Sequence, residues 1–419
     1  MKKNITIMLF FLSTSAFTQE IDWGYKIGGS YIDKCYDIEI DSFNNIYLTG
    51  GFCNTVDFDL KGNSHNVSAY RTDNSDIFMA KYNSNQELIY AFGLNGTSWD
   101  YATDLEIDNK GNAYISGFYS GIIDFDPSQT GHYLSSSESM FFVAKYDSIG
   151  IFKWTKNICG KKDIWGRTHS MYSDKNSNIY ISTPDTLFKI DSDGNIKWAI
   201  AVSGFAVFDN KSNFYILSNC LTPWDDSEKY ENLSLMKVDT SGAILFTNEI
   251  ISCSTGNVNG YITFDKSGYV IISGYYWGTC EFKNSLTENI TIINNNMTCC
   301  PIGPGGNCFE CPEYNEYFAK FDTTGKIIWA YDFGINGPNH YIIETTSNGI
   351  IYTLGFLNFY ADFDYTENSS SLTNSGYGNY IAKYDQSCNF LGATEFMGGS
   401  YNDFIGDFRL HDDSTAFMG

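Results

Sequence analysis

Positive charge is scarce in this sequence: 26 Lys and Arg stand against 49 Asp and Glu, a formal net charge of −23. A nucleic-acid backbone or an anionic lipid surface would repel such a chain at long range, which argues against both as partners. The plainer meaning of the acidity is solubility. Sustained helical periodicity is also absent, and no apolar run is long enough to span a bilayer. Histidine is sparse, and the five residues, His65, His132, His169, His340 and His411, form no H-x-x-x-H or H-E-x-x-H pair. No G-x-S-x-G elbow is present either. No motif therefore suggests an enzyme, although a Ser, His and Asp set could still converge in space.

Aromatic residues make up 17% of the chain and only seven residues are Pro, so material for a core is plentiful. Residues 104–154 show how it is arranged. DLEIDNKGNAYISGFY alternates apolar and polar residues, turns at 109–112 and continues as a β-branched and aromatic run. FFVAKYDSIGIFKW turns at 147–150 and leaves through Trp154. Two hairpins in succession give four antiparallel strands. The second turn recurs as Asp147 to Gly150, Asp191 to Gly194, Asp239 to Gly242 and Asp322 to Gly325, with weakened copies at Asn83 to Gln86 and Asp385 to Cys388. An Asp that bonds the backbone two residues on, and a Gly three later that accepts positive φ, suit a type I turn with a G1 bulge. Two residues before each turn stands a Lys: Lys81, Lys145, Lys189, Lys237, Lys320 and Lys383. Four residues after it stands a large aromatic in five copies: Tyr90, Trp154, Trp198, Phe246 and Trp329.

Lys2 and Lys3, an apolar run from Ile5 to Leu12, and small or polar residues to Gln19 have the layout of a secretory signal peptide, residues 1–19, cut between Ala16 and Glu20. No Cys follows directly, which argues against a lipoprotein anchor. Residues 20–419 then read as one domain of repeated units, the fifth carrying an Asn- and Cys-rich insertion at about 283–316. Units that cannot bury both faces alone are expected to stack, and four-stranded sheets stacked radially make an all-β propeller. WGYKIGG at 23–29 resembles a fourth strand with no unit before it, so it is expected to complete the last blade. That gives a seven-bladed β-propeller of four-stranded antiparallel blades. Nothing supplies the third strand of the seventh unit, so the last blade is expected to be incomplete and the sequence C-terminally truncated.

The pattern DIEIDSFNNIYLTGGF, VDFD and DIFMAKYN in unit one, repeated as DLEIDNKGNAYISGFY, IDFDP and FFVAKYDSIG in unit two, resembles the bacterial SBBP-type β-propeller repeat. The resemblance covers most of the chain and is strong in units one, two, five and six. It implies a secreted or cell-surface protein of a Bacteroidetes-like bacterium, mostly without a defined activity, and it offers no catalytic residues to carry over. The expected function is a binding or scaffolding module for an extracellular protein or glycan, acting as a monomer. The alternative is an extracellular glycan hydrolase or lyase using channel-mouth carboxylates such as Asp33 and Asp100.

Aligning the hairpins places Asp33, Asp100 and Asp403 at one position in the loop leading into a unit, with Trp99 and Tyr401 beside them. Such an arc could take a cation, an amine or a sugar; the competing reading is that each Asp caps its loop. The alternate-residue pairs Asp57 and Asp59, Asp124 and Asp126, and Asp362 and Asp364 could hold calcium, or else bond the backbone of the loop between strands two and three. No other cofactor is expected. Cys35 and Cys53 flank the first hairpin symmetrically about Asn44 and are the first disulfide expected; Cys253 and Cys280 are the second. Cys299, Cys300, Cys308 and Cys311 lie in one insertion, where two local disulfides are favoured over a zinc site. Cys159, Cys220 and Cys388 remain. Finally, Asp37, Glu39 and Asp41 in unit one and Asp104, Glu106 and Asp108 in unit two alternate with apolar residues. Such an acidic row is expected to face a solvated channel, with Arg409 close to Glu39 or Glu344.

Overall fold

The computed structural model describes residues 5–11, 20–71, 74–128, 130–158, 170–183, 185–202, 204–209, 212–218, 232–266, 268–283, 290–294, 297–301, 308–312, 314–334, 339–366, 370–398, 408–410 and 415–418. Every regular element among them is a β-strand, and every pairing is antiparallel. The chain forms two compact units, Met1–Ala201 with Ile405–Gly419, and Val202–Phe404.

In the first unit, three sheets follow one another as four-stranded meanders. The first is Lys34–Ile40, Ile46–Phe52, Asp76–Tyr82 and Leu88–Leu94; the second is Tyr101–Ile107, Ala113–Asp124, Tyr133–Tyr146 and Phe152–Ile158. The third is Ser170–Ser173, Ile179–Ser182, Thr186–Ile190 and Ile196–Ala201. The sheets stack face to face. Tyr47, Met79 and Leu94 of the first sheet share a core with Leu105, Ile115, Phe142 and Tyr146 of the second. The opposite face of the second, through Tyr114 and Val143, packs with Met171, Ile181 and Phe188 of the third. Cover on both faces explains why Ile46–Phe52 and Asp76–Tyr82 are buried at every residue, instead of alternating.

The recurrent turn forms as the residues dictate. Gly150 N donates to Asp147 O, the Asp147 carboxylate accepts from Ile149 N and Ile151 N, and Gly150 has φ +85°. Asp191 and Gly194 repeat this with φ +86°, and Gln86 and Cys388 adopt the same left-handed conformation without a Gly. The first hairpins use the same device. Asp41 and Asp108 head those turns, and each accepts two backbone N–H groups, an Asn side chain and a Tyr hydroxyl. This corrects two members of the expected acidic row: Asp41 and Asp108 cap turns.

The repeated Lys and aromatic residues join neighbouring sheets. Lys81 Nζ lies 4.6 Å from the centre of the Tyr47 ring and donates to Ser148 O in the second sheet's turn, at 3.0 Å. Lys145 sits 5.0 Å from Tyr114 and donates to Ser192 O in the third sheet's turn, which also accepts from Trp154 Nε1. The same turn carries Gly194, where an added Cβ would come 2.9 Å from the Trp154 ring. Left-handed φ and close ring contact thus demand Gly for separate reasons. In the second unit Trp329 Nε1 donates to Gln386 O in the same way. Lys320 there pairs with buried Asp265 at 2.7 Å.

The second unit departs from simple repetition. Ile244–Val258 pairs first with Asn232–Asp239 and then, past residue 250, with the far half of Val270–Phe282, so two meanders merge into a nine-stranded sheet. Cys253 opposes Cys280 across this junction and the two form a disulfide. A second sheet, Asn339–Thr345, Ile351–Asp362, Ser371–Tyr384 and Phe390–Gly398, completes the unit beside a ribbon in which Met297–Pro301 pairs with Cys308–Pro312. The side chains of Cys299, Cys300, Cys308 and Cys311, like residues Cys159 and Cys220, lie outside the described residues.

Two expectations are corrected. Cys35 and Cys53 are both buried and are not bonded to each other. Ile40 pairs with Ile46 and a bulge follows at Cys35 to Asp37, so Cys35 opposes Gly50 and Cys53 lies beyond the ladder. With residues 1–19 in place, the last sheet also has four strands. Its order is Phe408–Leu410, Thr415–Met418, Ile5–Phe11 and Glu20–Ile27, so the apolar N-terminal run fills the place of the strand expected to be missing. The strand containing Trp23 therefore lies one strand away from Thr415–Met418, closing the sheet as expected but through an intermediary.

Candidate functional site: a loop face and an acidic cluster

The loops leading into the first two sheets are held by buried carboxylates. Asp33 accepts from Gly29 N at 2.7 Å and Cys53 N at 3.0 Å. Asp100, four residues after Gly96 as Asp33 is four after Gly29, accepts from Ser120 N at 3.0 Å. Asp76 ties the segment between the two middle strands of the first sheet to the second loop by accepting from Tyr70 N and Gly96 N. Burial pushes all three above the usual carboxylate range, Asp76 to about 6 and Asp100 to about 8, against the backbone donors that hold them down. Gly96 is required because an added Cβ would fall 1.6 Å from Asp100 Oδ2. Asp33 and Asp100 thus act as loop caps, while Trp99 beside them is 57% exposed. Tyr401 and Asp403 lie outside the described residues.

The alternate-residue Asp pairs bond their own loops. Asp57 accepts from Asp59 N and His65 N, Asp124 from Asp126 N and His132 N, and Asp362 from Asp364 N and Ser370 N. Asp59, Asp126 and Asp364 each cap the next turn. Among the described residues no group of three His, Cys, Asp or Glu is placed to hold a metal ion.

The acidic row gathers where the first strands of successive sheets neighbour one another. Arg409, on Phe408–Leu410, places Nε 3.0 Å from Glu39 Oε1 and Nη2 3.5 Å from Asp37 Oδ1. Asp37 also accepts from Ile38 N and, across sheets, Leu105 N. Glu106 accepts from Ser173 N of the third sheet. These carboxylates thereby satisfy N–H groups on strands that have no ladder partner on that side. Burial pushes Asp104 up to about 7, against the Asp37 hydrogen bond and the Arg409 charge. Burial and the Glu39 charge push Glu106 to about 8. Tyr172, packed against them, is raised by burial as well. The cluster can therefore take up protons near neutrality. The turn signal was readable in the sequence; the cross-sheet amide acceptors were not, because their donors lie 67 and 68 residues away.

No family model matches the chain. It is similar to a WD repeat-containing protein of Acanthamoeba polyphaga mimivirus, 24% identical over 210 residues. That match covers 43% of this chain and spans 15% of the relative's length. Among solved structures it is similar to a protein of unknown function from Bacteroides caccae, at 9% identity and TM-score 0.36, covering 78% of this chain and 93% of that one. A second is BamB from Moraxella catarrhalis, at 12% identity and TM-score 0.34, covering 84% and 96%. A third is the Pan2 WD40 domain of Neurospora crassa, at 9% identity and TM-score 0.32, covering 76% and 88%.

Proposed function

We propose that this chain is a secreted or cell-surface β-propeller of the SBBP type, seven-bladed, that serves as a binding or scaffolding module for an extracellular protein or glycan. The observation that carries the reading is the fate of the carboxylates expected at a catalytic mouth. Asp33 and Asp100 are buried and turned into their loops, where backbone amides hold them, while Tyr31, Ile32 and Trp99 are offered to solvent there beside Ser30, Lys34 and Asn95. Rigid loops that present such groups are suited to recognition. The Lys and Trp clamps between sheets support a stacked scaffold, and the similarity to a WD repeat-containing protein supports the propeller. Export is supported by the N-terminal layout, and removal of residues 1–19 would take Ile5–Phe11 out of the last sheet.

The test is a screen of immobilised chain against extracellular glycans and proteins, run beside a turnover assay on the same glycans. Saturable binding without cleavage is the expected result. Cleavage that Asp100→Asn abolishes would replace this reading with the hydrolase or lyase.

A further inference from the structure

Tyr31 and Ile32 in the loop before the first sheet, Tyr70 between its strands, Trp99 in the loop before the second sheet, and Ile122 are 49%, 50%, 64%, 57% and 51% exposed. One hydrogen-bond network carries them. Asp33 ties the first loop to Cys53, Ala69 N donates to Asn54 O, Asp76 joins Tyr70 to Gly96, and Asp100 N donates to Ser75 O. Thr97 N then donates to Ile122 O, and Ile122 N returns to Thr97 Oγ1. The exposed rings therefore stand on backbone that is already ordered, which lowers the entropy lost on binding.

Charge selects among ligands for this face. The chain carries 49 acidic residues, yet in residues 29–34, 66–71, 95–101 and 119–123 the only carboxylates, Asp33 and Asp100, are buried, while the charged side chains exposed there are the cations Lys34 and Arg71. A basic protein partner, which the net charge of −23 would attract, finds no exposed carboxylate on these segments, and the same net charge repels a polyanion. What fits is an uncharged ligand with apolar ring faces and hydroxyl edges, placed on Trp99 and Tyr70. We propose that this loop face binds a neutral glycan, with Trp99 as the principal platform. The inference rests on the binding-module reading and names its ligand class.

The experiment is isothermal titration calorimetry of the full chain with a panel of neutral hexasaccharides, at about 0.05 M and about 0.5 M salt, repeated with Trp99→Ala, Trp99→Tyr and Tyr70→Ala. Expected are binding that changes less than about twofold with salt, a loss of tenfold or more in Trp99→Ala, and partial retention in Trp99→Tyr. Circular dichroism keeps a folding defect from counting as lost binding; should Trp99→Ala misfold, Tyr70→Ala carries the test. Failure of every hexasaccharide to bind, or binding indifferent to Trp99 and Tyr70, overturns the glycan assignment. If a defined protein partner binds through Trp99 while no glycan does, the glycan inference falls and the binding-module reading stands. If neither class binds, both fall.

Discussion

Arg409 Nε donates to Glu39 Oε1 at 3.0 Å, joining positions 370 apart in the chain. The contact seats the C-terminal segment against the first sheet, in a cluster with Asp37, Asp104, Glu106 and Tyr172. Its pH dependence has a definite sign. Asp104 and Glu106 have folded pKa values of about 7 and about 8, above the ordinary carboxylate value near about 4. Between those limits the folded state binds more protons than the unfolded, so these groups make stability fall as pH rises through that window. Urea midpoints should be higher at pH 5.5 than at pH 8.5, and Asp104→Asn with Glu106→Gln should flatten the difference. A midpoint that climbs with pH, and does so equally in that variant, would refute the assignment.

Arg409→Ala leaves the carboxylates crowded without their cation. Because Arg409 is about a third exposed, a loss of about 1–2 kcal/mol is expected, larger at pH 8 than at pH 5. Equal losses at both pH values would mean that packing, not charge, is what Arg409 supplies.

The clamp between sheets predicts a contrast between two glycines of like φ. Gly62, at φ +91°, has nothing within 4 Å of an added Cβ, whereas Gly194, at φ +86°, meets Trp154 at 2.9 Å. Gly62→Ala should cost about 1 kcal/mol from backbone strain alone, and Gly194→Ala clearly more. Lys145→Met, which removes the bond to Ser192 O and the contact with Tyr114, should cost about 1–2 kcal/mol. Similar melting of the two Gly variants would detach Trp154 from that turn.

How much of this was legible follows from distance along the chain. The Asp to Gly turn and the four-stranded meander are set by residues within a few positions of one another, and both were readable. The Lys and Trp positions were visible as a pattern, but their acceptors, Ser148 O and Ser192 O, belong to the next sheet. Symmetry about Asn44 put Cys35 opposite Cys53, but Ile40 pairs with Ile46, which centres the hairpin on Phe43, and the bulge between Cys35 and Asp37 shifts the ladder one residue further, to Gly50. The apolar run at Ile5–Phe11 satisfies a leader and a β-strand equally well by composition. Nothing local showed that Ile244–Val258 would cross into a second meander.

Thiol mapping checks that register. Differential alkylation after denaturation without reductant should label Cys35, Cys53 and Cys388 and leave Cys253 and Cys280 unlabelled. A peptide linking Cys35 to Cys53 would contradict this register.

The paired Asp residues already accept backbone donors, so chelation should matter little. Melting temperature with EDTA and with added calcium should agree within about 1 °C, a shift smaller than about 1 kcal/mol would give. A clear rise with calcium would make those loops ion sites.

The closing of the C-terminal segment on the first sheet is most directly tested by a double-mutant cycle between Arg409→Gln and Glu39→Gln, read by urea unfolding at pH 7. A favourable coupling of about 1 kcal/mol or more is predicted, since the two groups bond directly. Coupling within about 0.3 kcal/mol of zero would mean that the two segments do not meet.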